Sequence, residues 1–272
     1  MCQQASLLQE SQVAAPVAGK PATYRGQHDM AAWWAWIVEV EAASLPSYRP
    51  FIQRGDLVFD IGANRGTKTD IFRRLGAWVV AVDPLLAFGA EFVPEFWWRH
   101  GGDGDVLAIG RAVTTDPEVT ISINQFMPWC SSIDRRWMTE SKHAPKYGET
   151  YYVPTSLVYR QVQGVTLDAL IAIYGLPAFV KVDVEGAEDS AIATLSIPVR
   201  GINMEFHQDW IPIAAIEHMD ALGHYEWNYC LDNRGEFVMP EWECRGKLFD
   251  YMRGHLTLSG DGSWGDIYGR LA

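Results

Sequence analysis

The residues in this chain that could do chemistry are carboxylates at the ends of short apolar runs. Leu57, Val58 and Phe59 run into Asp60, and Trp78 to Val82 runs into Asp83. Phe179 to Val182 meets Asp183 with Glu185 just beyond, and the run from Gly201 carries Glu205 and ends at His207. Each run reads as a buried strand. In an open parallel sheet, ligands gather beyond the carboxyl ends of the strands, where the strand order reverses. Acid-tipped strands therefore predict one polar site, with oxygen acceptors for amines and hydroxyls and an imidazole able to take a proton near neutral pH. For Asp183, Glu185 and His207 taken singly, a helix cap, a first-turn acid or a structural histidine explains the residue equally well. Their convergence carries more weight than any one of them.

The stretch after Asp60 decides what the site holds. Gly62 and Gly66 bracket a tight loop, and Thr67 to Leu75 places Ile71, Phe72 and Leu75 on one helical face before Gly76 closes it. Asp83 follows Asp60 by 23 positions, close to the roughly 20-residue offset at which such folds hold a ribose. A dinucleotide loop requires G-x-G-x-x-G, but the middle position here is Asn64, and no Walker pattern accompanies Lys68. An acid at the strand end suits an ammonium better than a phosphate. S-adenosylmethionine fits that chemistry. Asp60 would accept from its amino group, directly or through water, the first N–H groups of the Thr67 helix would hold its carboxylate, and Asp83 would accept its ribose hydroxyls. Gly62, Ala63, Asn64, Gly66 and Thr67 complete the expected cofactor wall, joined by Ala112, Asp183 and Glu185 from later strands. The plain alternative is a βαβ turn with two incidental acids.

Composition narrows the class. The chain has 272 residues, is 48% hydrophobic and carries a formal net charge of -12, so a sizeable core is expected and a nucleic-acid-coating surface is not. Cys2, Cys130, Cys230 and Cys244 are scattered without C-x-x-C, which suits reduced thiols in a cytoplasm rather than disulfides or zinc. No apolar run approaches a membrane span, and the first residues lack a secretion-signal pattern. The expected partner is a small-molecule substrate, not nucleic acid or membrane, with a homodimer one way of using exposed aromatics.

In order, residues 1–25 read as a loose tail and 26–272 as one domain. Asp29 caps a helical extension to about Ala43, in which Trp34 lies off the apolar stripe and faces a lid, a substrate or a second subunit. Val106 to Val113 reads as one strand and Val119 to Ile123 as another. Residues 124–160 form an irregular insertion, of the kind that serves as a lid; Trp34 and its Trp129 are the candidate substrate residues. Order returns at Val165, and Thr166 caps a helix ended by Gly175. A helix follows Pro212, and Tyr225 to Val238 reads as a hairpin turning at Asp232–Gly235. The fold class is α/β: a Rossmann-like, mostly parallel sheet with helices on both faces, a C-terminal antiparallel hairpin and an N-terminal helical extension.

Asp60-Ile-Gly-Ala-Asn-Arg-Gly66, Thr166-Leu-Asp168, Lys181-Val-Asp-Val-Glu-Gly-Ala-Glu188 and Met204-Glu-Phe-His207 together resemble the FkbM-type S-adenosylmethionine-dependent methyltransferases over roughly residues 50–240. The Lys181–Glu188 block is the most specific of these motifs; the glycine loop is shared across class I methyltransferases. The resemblance implies O-methylation of small-molecule hydroxyls, with Asp60, Gly62, Asn64 and Gly66 around the methionine part and the acid after the second strand on the ribose. Members of the family often carry Glu-Pro where this chain has Asp83-Pro84, so the shorter acid would reach the ribose through water.

For an alcohol acceptor, the proton must be removed as the methyl transfers. His207 is the expected base, with Glu205 orienting it or acting instead. A second version uses a magnesium ion held by Asp183 and Glu205. The rivals are N-methylation of a small molecule, a non-catalytic S-adenosylmethionine-binding subunit, and a nicotinamide-dependent enzyme, the last disfavoured by Asn64.

Overall fold

The computed structural model describes residues 39, 42–125, 128–140, 157–232, 234–258 and 264–272. The loose tail and Trp34 lie outside these residues, as does most of the expected extension, residues 26–50, of which 39 and 42–50 are described.

β1 (Leu57–Ile61), β2 (Trp78–Val82) and β3 (Val106–Ile109) pair in parallel, with the helix Thr67–Arg74 crossing from β1 to β2 and the helix Pro94–His100 leading to β3. β4 (Ala112–Val113), β5 (Glu118–Asn124) and β6 (Leu157–Val165) form a separate small sheet in the order β4-β6-β5. The main sheet resumes with β7 (Phe179–Val182), β8 (Gly201–His207), β9 (Tyr225–Leu231) and β10 (Trp264–Leu271). Its order is β3-β2-β1-β7-β8-β10-β9, and β10 runs antiparallel to both neighbours. This is a Rossmann-like sheet in which β9 forms the edge and the last strand, β10, inserts between β8 and β9. The order reverses between β1 and β7, so the ends of these strands form the switch point.

The strands are apolar on both faces because both are covered. Val58, Val79, Phe72 and Phe179 pack on one side, and Phe59, Val80, Val182 and Met204 on the other. One transverse row breaks the rule. Asp60, Lys181, Asn203, Tyr268 and Asn228 are register partners from β1 to β9, and each is 1% exposed or less. Buried polar groups need partners, and this row finds them outside itself: Asp60 on Thr69, Lys181 on Asp183, Asn203 on Asp266, Tyr268 on Ser47 and Asn228 on the Met239 carbonyl.

Three sequence expectations change. Val106–Val113 is two strands in different sheets: Gly110 passes so close to Ala87 that a Cβ would sit 2.4 Å from its backbone nitrogen, and the chain turns there. The 124–160 insertion runs into the start of β6, which pairs along β5 from Asn124–Leu157 to Glu118–Gln163; only Val162 in β6 is fully buried, so the sequence alternation was too weak to show it. The Asp232–Gly235 turn sends Val238 back to bond Tyr229, but the strand paired with β9 is β10, reached through the helix Arg245–Leu258. Among the described residues, no helix is long and apolar enough to cross a membrane.

Candidate active site

The glycine loop is shaped by contacts that exclude side chains. Gly62 has φ 80°, and a Cβ there would lie 1.6 Å from the Asp183 carbonyl oxygen. The ends of β1 and β7 can meet only with glycine at this point. Asn64 also takes a left-handed conformation, φ 46°, which asparagine tolerates better than most residues. Gly62 and Ala63 donate to the Val82 carbonyl at 2.8 and 3.3 Å. Gly66, φ 76°, precedes Thr67 at the start of the helix.

Asp60 lies beneath this loop with no solvent exposure. Its Oδ2 accepts from Thr69 Oγ1 at 2.6 Å, while Oδ1 has no hydrogen-bond partner among the described residues and stands 3.8 Å from Lys181 Nζ. Burial pushes its pKa up, opposed by Lys181 and the Thr69 hydroxyl. Asp83 accepts from Asn64 N at 2.9 Å and Leu85 N at 2.7 Å; burial raises it to about 6 against these two bonds.

Across the switch point the chemistry is a chain of side chains. Lys181 donates to Asp183 Oδ2 at 2.9 Å. Burial alone would lower its pKa, but the charges of Asp183 and Asp60 outweigh burial and raise it. Asp183 would be raised by burial, yet Lys181 and a hydrogen bond from Glu205 hold it low. Glu205, buried among Asp183, Asp266 and Glu188, is held well above the carboxylate range. It shares a hydrogen bond with Asp183. His207 Nε2 lies 3.2 Å from Glu205 Oε2, and burial lowers its pKa against the neighbouring acids, so the imidazole is neutral at pH 7.

The loop after β7 is held from both sides. Glu188 Oε1 accepts from Val184 N at 3.0 Å and Gly186 N at 3.3 Å, and burial raises it to about 7. Glu185 has φ 56°; burial, followed by the Glu205 and Asp183 charges, raises its pKa strongly. Above it, Ser132 Oγ donates to the Glu185 carbonyl at 2.7 Å and Trp210 Nε1 to that of Gly186 at 3.1 Å. The Trp137 ring stands 4.9 Å from the His207 ring and 5.6 Å from Trp210.

The expected cofactor residues of the first two strands thus meet in one place, and Asp183 and Glu185 face them across the switch point. Ala112 lies in β4, buried in the apolar cluster that also contains Ala63. Trp129 packs on the cofactor loop itself, with the Arg65 guanidinium 4.3 Å from its ring centroid. Asp183 and Glu205, the pair expected to hold a metal, are hydrogen-bonded to each other; among the described residues, the three groups whose ligand atoms fall within 4.8 Å of one another are Glu185, Glu205 and His207.

Sequence reasoning assigned no role to Lys181, Asn203, Asp266, Trp137 or Trp210. Lys181 had a readable signal, since a charge inside a four-residue run buried throughout must find a partner. Asp266 had none, because nothing marked its segment as a strand between β8 and β9.

No family profile matches the chain, and no curated protein matches its sequence. Among solved structures, it is similar to a precorrin-6y C5,15-methyltransferase from Geobacter metallireducens GS-15, at 10% identity and TM-score 0.44 over 86% of this chain and 88% of that one. It is also similar to the C-terminal domain of the precorrin-6Y C5,15-methyltransferase from Rhodobacter capsulatus, at 14% identity and TM-score 0.39 over 85% and 88%. A third is the Haemonchus contortus phosphoethanolamine N-methyltransferase 2 in complex with S-adenosyl-L-methionine, at 10% identity and TM-score 0.38 over 84% and 52%. Likeness at this level carries no argument about activity.

Proposed function

We propose that this protein is an S-adenosylmethionine-dependent methyltransferase of the FkbM type that methylates a hydroxyl of a small molecule. The observation that carries the donor half is Asp60 Oδ1, a buried acceptor with no hydrogen-bond partner among the described residues, beneath a left-handed loop at the switch point. Lys181 Nζ, at 3.8 Å and bonded to Asp183, pairs with it by charge but is too far for a hydrogen bond; a buried acceptor without a donor is costly, and a second ammonium group is a donor it suits. Asp60 would hold the amino group of the cofactor, the start of the Thr67 helix its carboxylate, and Asp83 would lie at its ribose end. When bound, S-adenosylmethionine supplies a methyl group already activated on a sulfonium.

The remaining work falls to this chain's residues. Alignment and exclusion of water come first. His207 takes the hydroxyl proton. Burial lowers its pKa, which favours the neutral imidazole that a base requires, whereas Glu205, raised by burial and the surrounding acids, orients the ring from beside Nε2. Environments that push neighbouring pKa values apart divide the acid and base roles in this way. Asp183, Glu185 and the Trp129 wall would enclose the acceptor.

A second reading places a divalent cation on Glu185, Glu205 and His207, the set with mutual ligand spacing. Intact-mass screening of small hydroxyl and amine acceptors for the gain of one methyl tests the activity. Turnover surviving exhaustive chelation removes the cation, and near-normal turnover by His207→Ala removes the histidine base. A gain on amines only would replace O- by N-methylation.

A further inference from the structure

Two groups able to ligate a metal share one face of β8. Glu205 and His207 are two residues apart on the strand, so both side chains leave the sheet on the same side, and His207 Nε2 stands 3.2 Å from Glu205 Oε2. Glu185 joins them from the loop after β7, the strand paired in parallel with β8. One ligand atom from each of the three lies within 4.8 Å of the others, and all three residues are half-buried. A zinc-sized ion sits about 2.0–2.2 Å from an imidazole nitrogen or a carboxylate oxygen, so ligands at right angles on it are roughly 3 Å apart and opposite ones roughly 4.2 Å. The nitrogen–oxygen pair of β8 matches neighbouring ligands on one ion, and Glu185 is within reach of the same ion.

Each of the three is supported from behind. Ser132 Oγ holds the Glu185 carbonyl at 2.7 Å, and Glu188 accepts from the amides of Val184 and Gly186 on either side of it. Glu205 is hydrogen-bonded to Asp183, which Lys181 holds at 2.9 Å. The Trp137 ring packs 4.9 Å from the imidazole. Outer partners of this kind orient metal ligands.

We infer that Glu185, Glu205 and His207 form a binding site for one first-row divalent transition ion, such as zinc or cobalt, rather than for magnesium. The imidazole sets the class, because nitrogen suits transition ions whereas magnesium takes carboxylates, phosphates and water. Three protein ligands leave further positions on the ion open to water or to an acceptor hydroxyl. The inference extends the cation reading above: it names the class of ion and makes His207 a ligand in place of a base.

Calorimetry on the full chain, with zinc, cobalt and magnesium chlorides as probes and no cofactor present, tests the site. One zinc or cobalt ion per chain should bind at least tenfold more tightly than magnesium. His207→Ala and Glu185→Gln should each lose at least tenfold on both transition ions; Glu185→Gln keeps the shape of the side chain and serves where His207→Ala does not fold. Cys244→Ser, which removes an exposed thiol, should bind as the wild type does. No saturable ion, magnesium as tight as zinc, zinc affinity unchanged in either site variant, or zinc affinity lost with Cys244 overturns the inference. A chain that binds zinc but not S-adenosylhomocysteine keeps this site and loses the cofactor assignment; one that binds S-adenosylhomocysteine but no ion loses this site alone.

Discussion

The two halves of the site are built in opposite ways. On the β1–β2 side, geometry is set by backbone: left-handed residues, carbonyls of β2, and a carboxylate on each of two amides. On the β7–β8 side, it is set by charge: Lys181, Asp183, Glu205 and His207 hold one another in sequence, and burial together with the neighbouring charges shifts the pKa of each. A backbone-built half suits a ligand that is always the same. A charge-built half can move a proton, but it depends on every member, since a buried charge that loses its partner is left uncompensated.

The largest expected effect breaks the second half. Lys181→Met leaves Asp60 and Asp183 without their cation, and should cost about 3–5 kcal/mol of stability, read from urea unfolding; a loss under about 1 kcal/mol would mean that the chain of charges is not coupled. Trp137→Ala should cost roughly 3–4 kcal/mol, in the range for buried aromatics, because Trp137 is 2% exposed. It should change His207-dependent turnover far more than S-adenosylhomocysteine affinity; equal losses would blur the division into halves.

A pH effect sharpens the comparison from the other side. Asp83 faces the Asp60 and Lys181 charges, and burial raises it from its ordinary 3.8 to about 6. Between those values the native state binds more protons at this residue than the unfolded chain, so its contribution to stability falls as pH rises. Two units amount to roughly 3 kcal/mol. Unfolding at pH 4 and pH 7 should show Asp83→Asn gaining about that much relative to the wild type; a constant difference would contradict the burial argument. The smallest effect is Thr69→Val, which removes the hydroxyl from Asp60 Oδ2 and should cost about 1–2 kcal/mol.

The same division explains what the sequence disclosed. Backbone constraints leave marks on residue type, so Gly62, Asn64, Gly66 and the acids near the ends of β1 and β2 were legible, as were Thr166 and Gly175 at the ends of their helix. The charge-built half assembles residues far apart in the chain, and Asp266 reaches it only because β10 inserts between β8 and β9. β6 and the helix Arg245–Leu258 were missed because neither is strongly one-sided: in both, buried positions are few among polar ones. Trp137 was hidden in an insertion whose neighbours gave no period to read.

The central claim is that the backbone-built half holds S-adenosylmethionine. Calorimetry on the intact chain with S-adenosylhomocysteine, S-adenosylmethionine and NAD tests it most directly. The account predicts one saturable site for each of the two sulfur ligands, weakened by Asp60→Asn, and none for NAD. Binding of NAD alone would contradict it.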